Sequence, residues 1–511
     1  MDLSKSPIQH LWHKINVSHH HHGICVPLSA LRQNPMSQLG SFFDLITLID
    51  WCKDAGFNII QLLPLNDTDK DPSPYNALSA FALHPIYIST THLPIVATQN
   101  DVSNFSSSIQ NKKINFLEVL TRKLTTLKKY FQEHFPSIQK KEEYPHFLQQ
   151  HNWLKSYAIF KVLKDQYMGK SWKKWQENSQ NIEHLYHKYE QEANFHIFLQ
   201  YIAFQQLQYI KNYANNKQIL LEGDIPFLVG MESADVWAYP ENFDKDTFVG
   251  APPDMFNEKG QNWKSPPYQW ETMRKNNFSW WKQRFSIAAS FYHMCRIDHI
   301  IGFYRVWKIP RHGKSNEGYF QPQQPIQALQ QGESLLTSLL HSSSLFPIGE
   351  DIAHQIRHIQ QSLIALAIPG TRILLWQKQE NSFLPYKEYP PCSLTTISTH
   401  DTEPLIEWWH NHPNYVDQFC IFKNWKRDRL LSLERRQQIL YDSHHTASLF
   451  HINLLQEYLH LEPALQSFPI GRERINLPGT ISDDNWMYRC PCLTQDLYQP
   501  NFMKKIEKIL S

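Results

Sequence analysis

Three short, largely apolar runs, each leading into an acidic residue, constrain what this chain can fold into more than any other feature. Tyr292–Ile297 leads into Asp298, Leu345–Ile348 into Gly349-Glu350, and Leu394–Ile397 into Ser398-Thr399-His400-Asp401. Each run reads as a strand, so each acid lies at a strand's C-terminal end, which in a (β/α)8 barrel is the catalytic face. The acids also form a chemical inventory. Cleaving an acetal at neutral pH needs a carboxylate to attack or steady the anomeric carbon and a carboxylic acid to protonate the leaving oxygen. A third acid can hold sugar hydroxyls. Arg296, two residues before Asp298 on the same strand, projects to the same side and favours the carboxylate there, whereas Glu350 follows Ile348 into a drier setting.

The rest of the chain supports a parallel α/β fold. Ile24–Leu28, an apolar helical pattern over Phe42–Ala55, and Ile59–Leu63 make a βαβ opening. Residues 90–215 read as a largely helical insertion, with Leu117, Leu120, Leu124, Leu127 and Phe131 on one face. Ile219–Leu221 returns to the barrel, strands are expected near 295, 347, 372 and 396, and a helix spans Phe502–Leu510. The segment 250–270, rich in Pro, Gly and Trp, reads as a lid loop over the site, with Trp263, Tyr268 and Trp270 offering flat faces to sugars. The expectation is one catalytic (β/α)8 TIM barrel over 1–511, with helical insertions.

A composition of 41% hydrophobic and 19% charged residues with a formal net charge of +2 argues against a nucleic-acid partner. No stretch approaches the ~20 apolar residues of a membrane span. Seven widely spaced cysteines suit a reducing compartment, so the expected location is the cytoplasm. His19–His22 invites a metal hypothesis, but consecutive histidines lack helical ligand spacing, and no metal is expected.

The chain resembles the amylomaltases, 4-α-glucanotransferases also called disproportionating enzymes. The resemblance rests on ordered landmarks: Gly23-Ile24 with Pro27-Leu28-Ser29, Gln61–Leu65, Ser73-Pro74-Tyr75 with Ser79–Ala82, Gly223–Pro226, Ser233–Trp237, Pro252-Pro253-Asp254 with Gly260-Gln261 and Trp263, Arg296–His299, Glu350-Asp351 and His400-Asp401. It implies a barrel without metal or cofactor that transfers α-1,4-glucan segments between malto-oligosaccharides and linear α-glucan, with retention through a covalent glycosyl-enzyme. Carried over, Asp298 looks like the nucleophile, Glu350 the general acid/base and Asp401 the transition-state stabiliser. Tyr75, Asp224, Asp254, Gln261, Trp263, Arg296 and His400 look like substrate-binding residues. The chain departs from the family's pattern at Gln38–Ser41, His84, Asp244–Val249, Lys264-Ser265 and Thr402. Lysine at 264 stands where a glycine could take positive φ easily. The competing readings are an α-glucan hydrolase on the same barrel and a non-catalytic glucan-binding protein.

Overall fold

Eight parallel strands close into a barrel in sequential order: β1 (His21–Val26), β2 (Ile59–Leu62), β3 (Leu220–Ile225), β4 (Met294–Ile297), β5 (Phe346–Gly349), β6 (Gly370–Ile373), β7 (Ser393–Thr396) and β8 (Phe450–Leu454), which pairs back onto β1. The computed structural model describes residues 6–94, 114–253, 258–353, 356–379, 382–465, 473–480 and 482–511. The (β/α)8 class is the one the sequence predicts.

Helices pack their apolar faces on the barrel. Leu45–Ala55, between β1 and β2, buries Leu45, Leu48, Ile49, Trp51, Cys52 and Ala55, the spacing of one helical face. At the floor, Trp12 of a short N-terminal helix meets Phe346 and Phe450, the first residues of β5 and β8, and its indole N–H donates to the Ala367 carbonyl at 3.0 Å. Between β2 and β3 the described residues carry five α-helices, ending in the long Glu190–Lys217. That helix clamps the loop after β2. Gln200 accepts from Leu83 N and donates to Leu83 O at 2.8 and 2.9 Å, and Gln206 does the same to Ser89.

Four expectations need correction. β8 is not among the strands expected from the sequence, because His451 and Asn453 interrupt the apolar run that marks the other buried strands. Both are fully buried, and Asn453 accepts from Ile397 N at 2.8 Å. β1 starts at His21, so the histidine tract enters the strand instead of preceding it. β3 continues through Glu222 and Asp224. Finally, the segment 250–270 contributes structure of its own. Gln261–Ser265 is the edge strand of a four-stranded antiparallel sheet with Thr247–Ala251, Val306–Pro310 and Tyr319–Gln321. Gly250 makes that pairing possible, since a Cβ there would sit 1.9 Å from the Gln261 carbonyl oxygen.

Among the described residues no helix is long and apolar enough to cross a membrane. All seven cysteines are buried free thiols.

Candidate active site

The mouth of the barrel is organised around one guanidinium. Arg296, on β4, donates through Nη1 to Oδ2 of Asp224 at 2.7 Å and to Oδ1 of Asp298 at 3.0 Å. The Tyr75 hydroxyl, from the loop after β2, donates to the same Asp224 oxygen at 2.5 Å. Asp224 is fully shielded, whereas Asp298, one residue beyond the end of β4, keeps 26% of its side chain exposed and faces the opening. A charge-assisted chain of this kind fixes the Asp298 carboxylate in orientation.

Glu350 sits one residue past the end of β5. Its Oε2 accepts from His299 N at 2.9 Å and its Oε1 from Ile352 N at 3.1 Å. The first of these bonds ties it to the residue after Asp298. His299 takes a left-handed conformation, φ 44°, unusual for a residue with a side chain and a mark of local strain at this turn. Burial raises the Glu350 carboxyl to about 7, even though Arg296 and the two backbone N–H groups pull the other way. A carboxyl in that range is protonated often enough at neutral pH to act as an acid.

Asp401 lies in the turn after β7, with 41% of its side chain exposed. Desolvation opposes its ionisation, but His400, whose Nε2 is 3.2 Å away, and the Asn476 amide, which donates at 2.7 Å, hold the carboxyl down at about 2. Thr402 holds the turn: its hydroxyl oxygen accepts from Thr399 N at 2.8 Å. His400 in turn stacks on the Tyr75 ring at 5.0 Å and 15°. The site thus holds a fixed and partly exposed acid, a buried acid of raised pKa and an acid held ionised.

The structure therefore brings together Asp298, Glu350, Asp401, Tyr75, Asp224, Arg296 and His400. Gln261 and Trp263 belong to the satellite sheet's edge strand; the Trp263 indole donates to Gln261 Oε1 at 3.1 Å, and its ring meets His299 edge-on at 5.0 Å. Asp254 lies outside the described residues. Tyr268 is not available as a sugar platform, and Trp270 is only partly exposed. Tyr268 is buried, with its hydroxyl on the Phe227 carbonyl at 2.7 Å, and Trp270 packs on Phe303 and Trp281.

Sequence reading missed the C-terminal wall. Asn476 holds Asp401, Arg474 donates to the Asp401 carbonyl at 3.3 Å, and Trp486 packs against both Tyr75 and His400. The available signal was the polar pair Arg474 and Asn476 just ahead of the Pro478-Gly479 turn, which marks a functional loop. Among the described residues no group of three or more His, Cys, Asp or Glu is arranged to hold a metal ion.

A parallel barrel whose C-terminal mouth presents a carboxylic acid of raised pKa, one held ionised and a third on an arginine fits the class of enzymes acting on glycosidic bonds. Comparison with known proteins is more specific. The 4-α-glucanotransferase family profile matches residues 26–494, and the chain belongs to that family. It is 38% identical over 519 residues to the 4-α-glucanotransferase of Chlamydia pneumoniae, covering 99% of this chain and 98% of that one. It is 27% identical over 460 residues to that of Thermus thermophilus, covering 86% and 88%. In fold it matches the amylomaltase of Streptococcus agalactiae, solved in complex with acarbose, with a TM-score of 0.83 at 22% identity over 96% of this chain and 99% of that one. The amylomaltase of Corynebacterium glutamicum gives 0.79 at 18% identity over 97% and 76%. The activity is that of a 4-α-glucanotransferase.

Proposed function

We propose that this enzyme moves α-1,4-glucan segments between malto-oligosaccharides and linear α-glucan by a retaining double displacement in a cytoplasmic setting. Asp298 attacks the anomeric carbon while Glu350 protonates the departing glycosidic oxygen, leaving a glycosyl ester on Asp298. Glu350, now a carboxylate, takes the proton from the 4-hydroxyl of an incoming chain, which displaces Asp298 and restores the α configuration. Asp401, with His400, grips hydroxyls of the ring as it flattens. Asp224, Tyr75 and Arg296 hold the donor side.

Transfer demands that water reach the intermediate less readily than a sugar hydroxyl. The strand Gln261–Ser265 acts as a lid over that point, with Trp263 against His299 as its apolar face, and excluding water there favours the sugar. The observation that carries the reading is the contrast between Glu350, raised by burial to about 7, and Asp298, fixed at 3.0 Å from a guanidinium. One group is held ready to give a proton and the other to attack.

Maltotriose incubation tests it. The wild type should give a ladder of longer and shorter oligomers, and a hydrolase only shorter ones. Asp298→Asn should abolish the ladder, with a loss on the order of 10⁴-fold or more, while unfolding at the wild-type temperature. An undiminished ladder from that variant would remove Asp298 from the mechanism.

A further inference from the structure

The barrel holds a fourth carboxyl group that this chemistry leaves unused. Glu222 stands on β3 two residues before Asp224. Gly223, between them, faces outwards, where a Cβ would run into the Tyr292 ring at 2.4 Å. Alternation along a strand then puts Glu222 and Asp224 on the same inward face, one pleat apart. Glu222 has 0% exposure, and neither of its carboxyl oxygens has a partner at good hydrogen-bond geometry, the Gln61 amide being a neutral neighbour that steadies it only weakly. An unsolvated and unpaired carboxylate is too costly to keep in such a place, so the group carries its proton.

Its neighbours offer no counter-charge that is not already engaged. β2 places Gln61 in register with it and contributes no titratable side chain. β1 and β4 bring Cys25 and Cys295, thiols that burial keeps neutral. Asp224 on its own strand is a further acid. Arg296, the cation on this side, already serves Asp224 and Asp298 at 2.7 and 3.0 Å. A second negative charge one pleat below would compete for that guanidinium.

We propose that Glu222 is a positioning residue: as a neutral acid it leaves Arg296 to Asp224 and Asp298, and on losing its proton it draws the guanidinium from them and loosens the donor sugar. The inference rests on the reading that Asp224 and Arg296 hold the donor. Burial and the nearby Asp224 raise this carboxyl to about 8, so the proton is present at neutral pH and lost on the alkaline side.

The test uses binding, so that the titration of Glu350 does not intrude. Maltohexaose binding to a Glu350→Gln protein is measured by calorimetry between about pH 6.5 and about pH 9.5, a window bracketing the raised carboxyl. Kd should be level at first and then rise towards the one-proton limit of about tenfold per pH unit. Adding Glu222→Gln, an isostere of the neutral acid, should hold Kd level throughout; Glu222→Met serves in the same titration if the Gln variant does not fold. A Kd that stays level in Glu350→Gln alone, or that rises equally with Glu222 replaced, overturns the proposal. A purely structural Glu222 would move the unfolding temperature and leave Kd without this pH dependence. Failure of the underlying reading looks different: adding Arg296→Met to the Glu350→Gln protein would then leave maltohexaose Kd at about pH 6.5 unchanged, whereas a guanidinium that holds the donor should weaken binding there by about tenfold or more when it is lost.

Discussion

Asn476 donates its side-chain amide to Asp401 at 2.7 Å, its backbone N–H to the His400 carbonyl at 3.0 Å, and accepts at its own carbonyl from Arg474 Nε at 3.0 Å. One residue thereby fixes both the carboxylate and the turn carrying it. Replacing it by Ala frees Asp401 to rotate and removes a donor that favours its ionised form. Asn476→Ala should lower kcat/KM on maltotriose by about 10- to 100-fold, the usual size for a lost charge-orienting donor, with the unfolding temperature as the control for folding. His84, a departure from the family's pattern, is likewise explained by its contacts: Nδ1 accepts from Ile86 N at 3.1 Å, and Nε2 lies 3.1 Å from the Asp69 carbonyl, closing the loop that carries Tyr75.

At the scale of elements, the seam between β1 and β8 is built from histidines. The His451 ring lies between those of His20 and His22 at 5.2 and 5.3 Å, and His22 Nδ1 is 2.9 Å from His444 Nδ1. Burial, reinforced by mutual repulsion, lowers His22 to about 4 and pushes His444 and His451 down as well. The folded state therefore keeps these rings neutral below the pH at which the unfolded chain protonates them. Their stability is intact above about pH 6.5 and falls below it, by at most about 1.4 kcal/mol per pH unit for each ring. Urea midpoints should drop between pH 7 and pH 5, less so in His451→Phe; equal slopes in both proteins would exclude the seam as the cause. The satellite strand carries a different strain. Lys264 adopts φ 58°, helped by its N–H on Asn262 Oδ1 at 2.9 Å. Lys264→Gly should raise stability by about 1 kcal/mol, read as a higher denaturant midpoint, because glycine accepts that conformation without a Cβ penalty.

Across the whole molecule, the helices inserted between β2 and β3 hold catalytic furniture that the barrel alone leaves loose. The loop after β2 carries Tyr75, and its backbone is held through Gln200 and Gln206. Tyr157 donates to Asp67 at 2.7 Å, and Lys161 pairs with Asp67 and Asp69 at 3.3 and 2.6 Å within the same contact. Gln200→Leu strands a buried N–H and a buried carbonyl at Leu83. The cost should be about 2 to 6 kcal/mol, seen in thermal unfolding, since each of the two orphaned groups loses about 1 to 3 kcal/mol. Transfer activity should fall with it as Tyr75 loses its support on Asp224.

What the sequence determined by itself is the barrel and the identity of its acids. Apolar runs of strand length leading into Asp298, Glu350 and Asp401 are local patterns, and the βα order allows few topologies for them. Only the tertiary structure decided which residues stand beside those acids. Asn476 and Trp486 come from a segment with no periodic pattern, and β8 hides behind polar residues whose partners, such as Ile397 N, are remote in sequence. The same holds for protonation. Glu222 and Glu350 are the same letter and Asp224 the same functional group, and what separates them is desolvation and their setting around Arg296, which exist only once eight strands have closed around them.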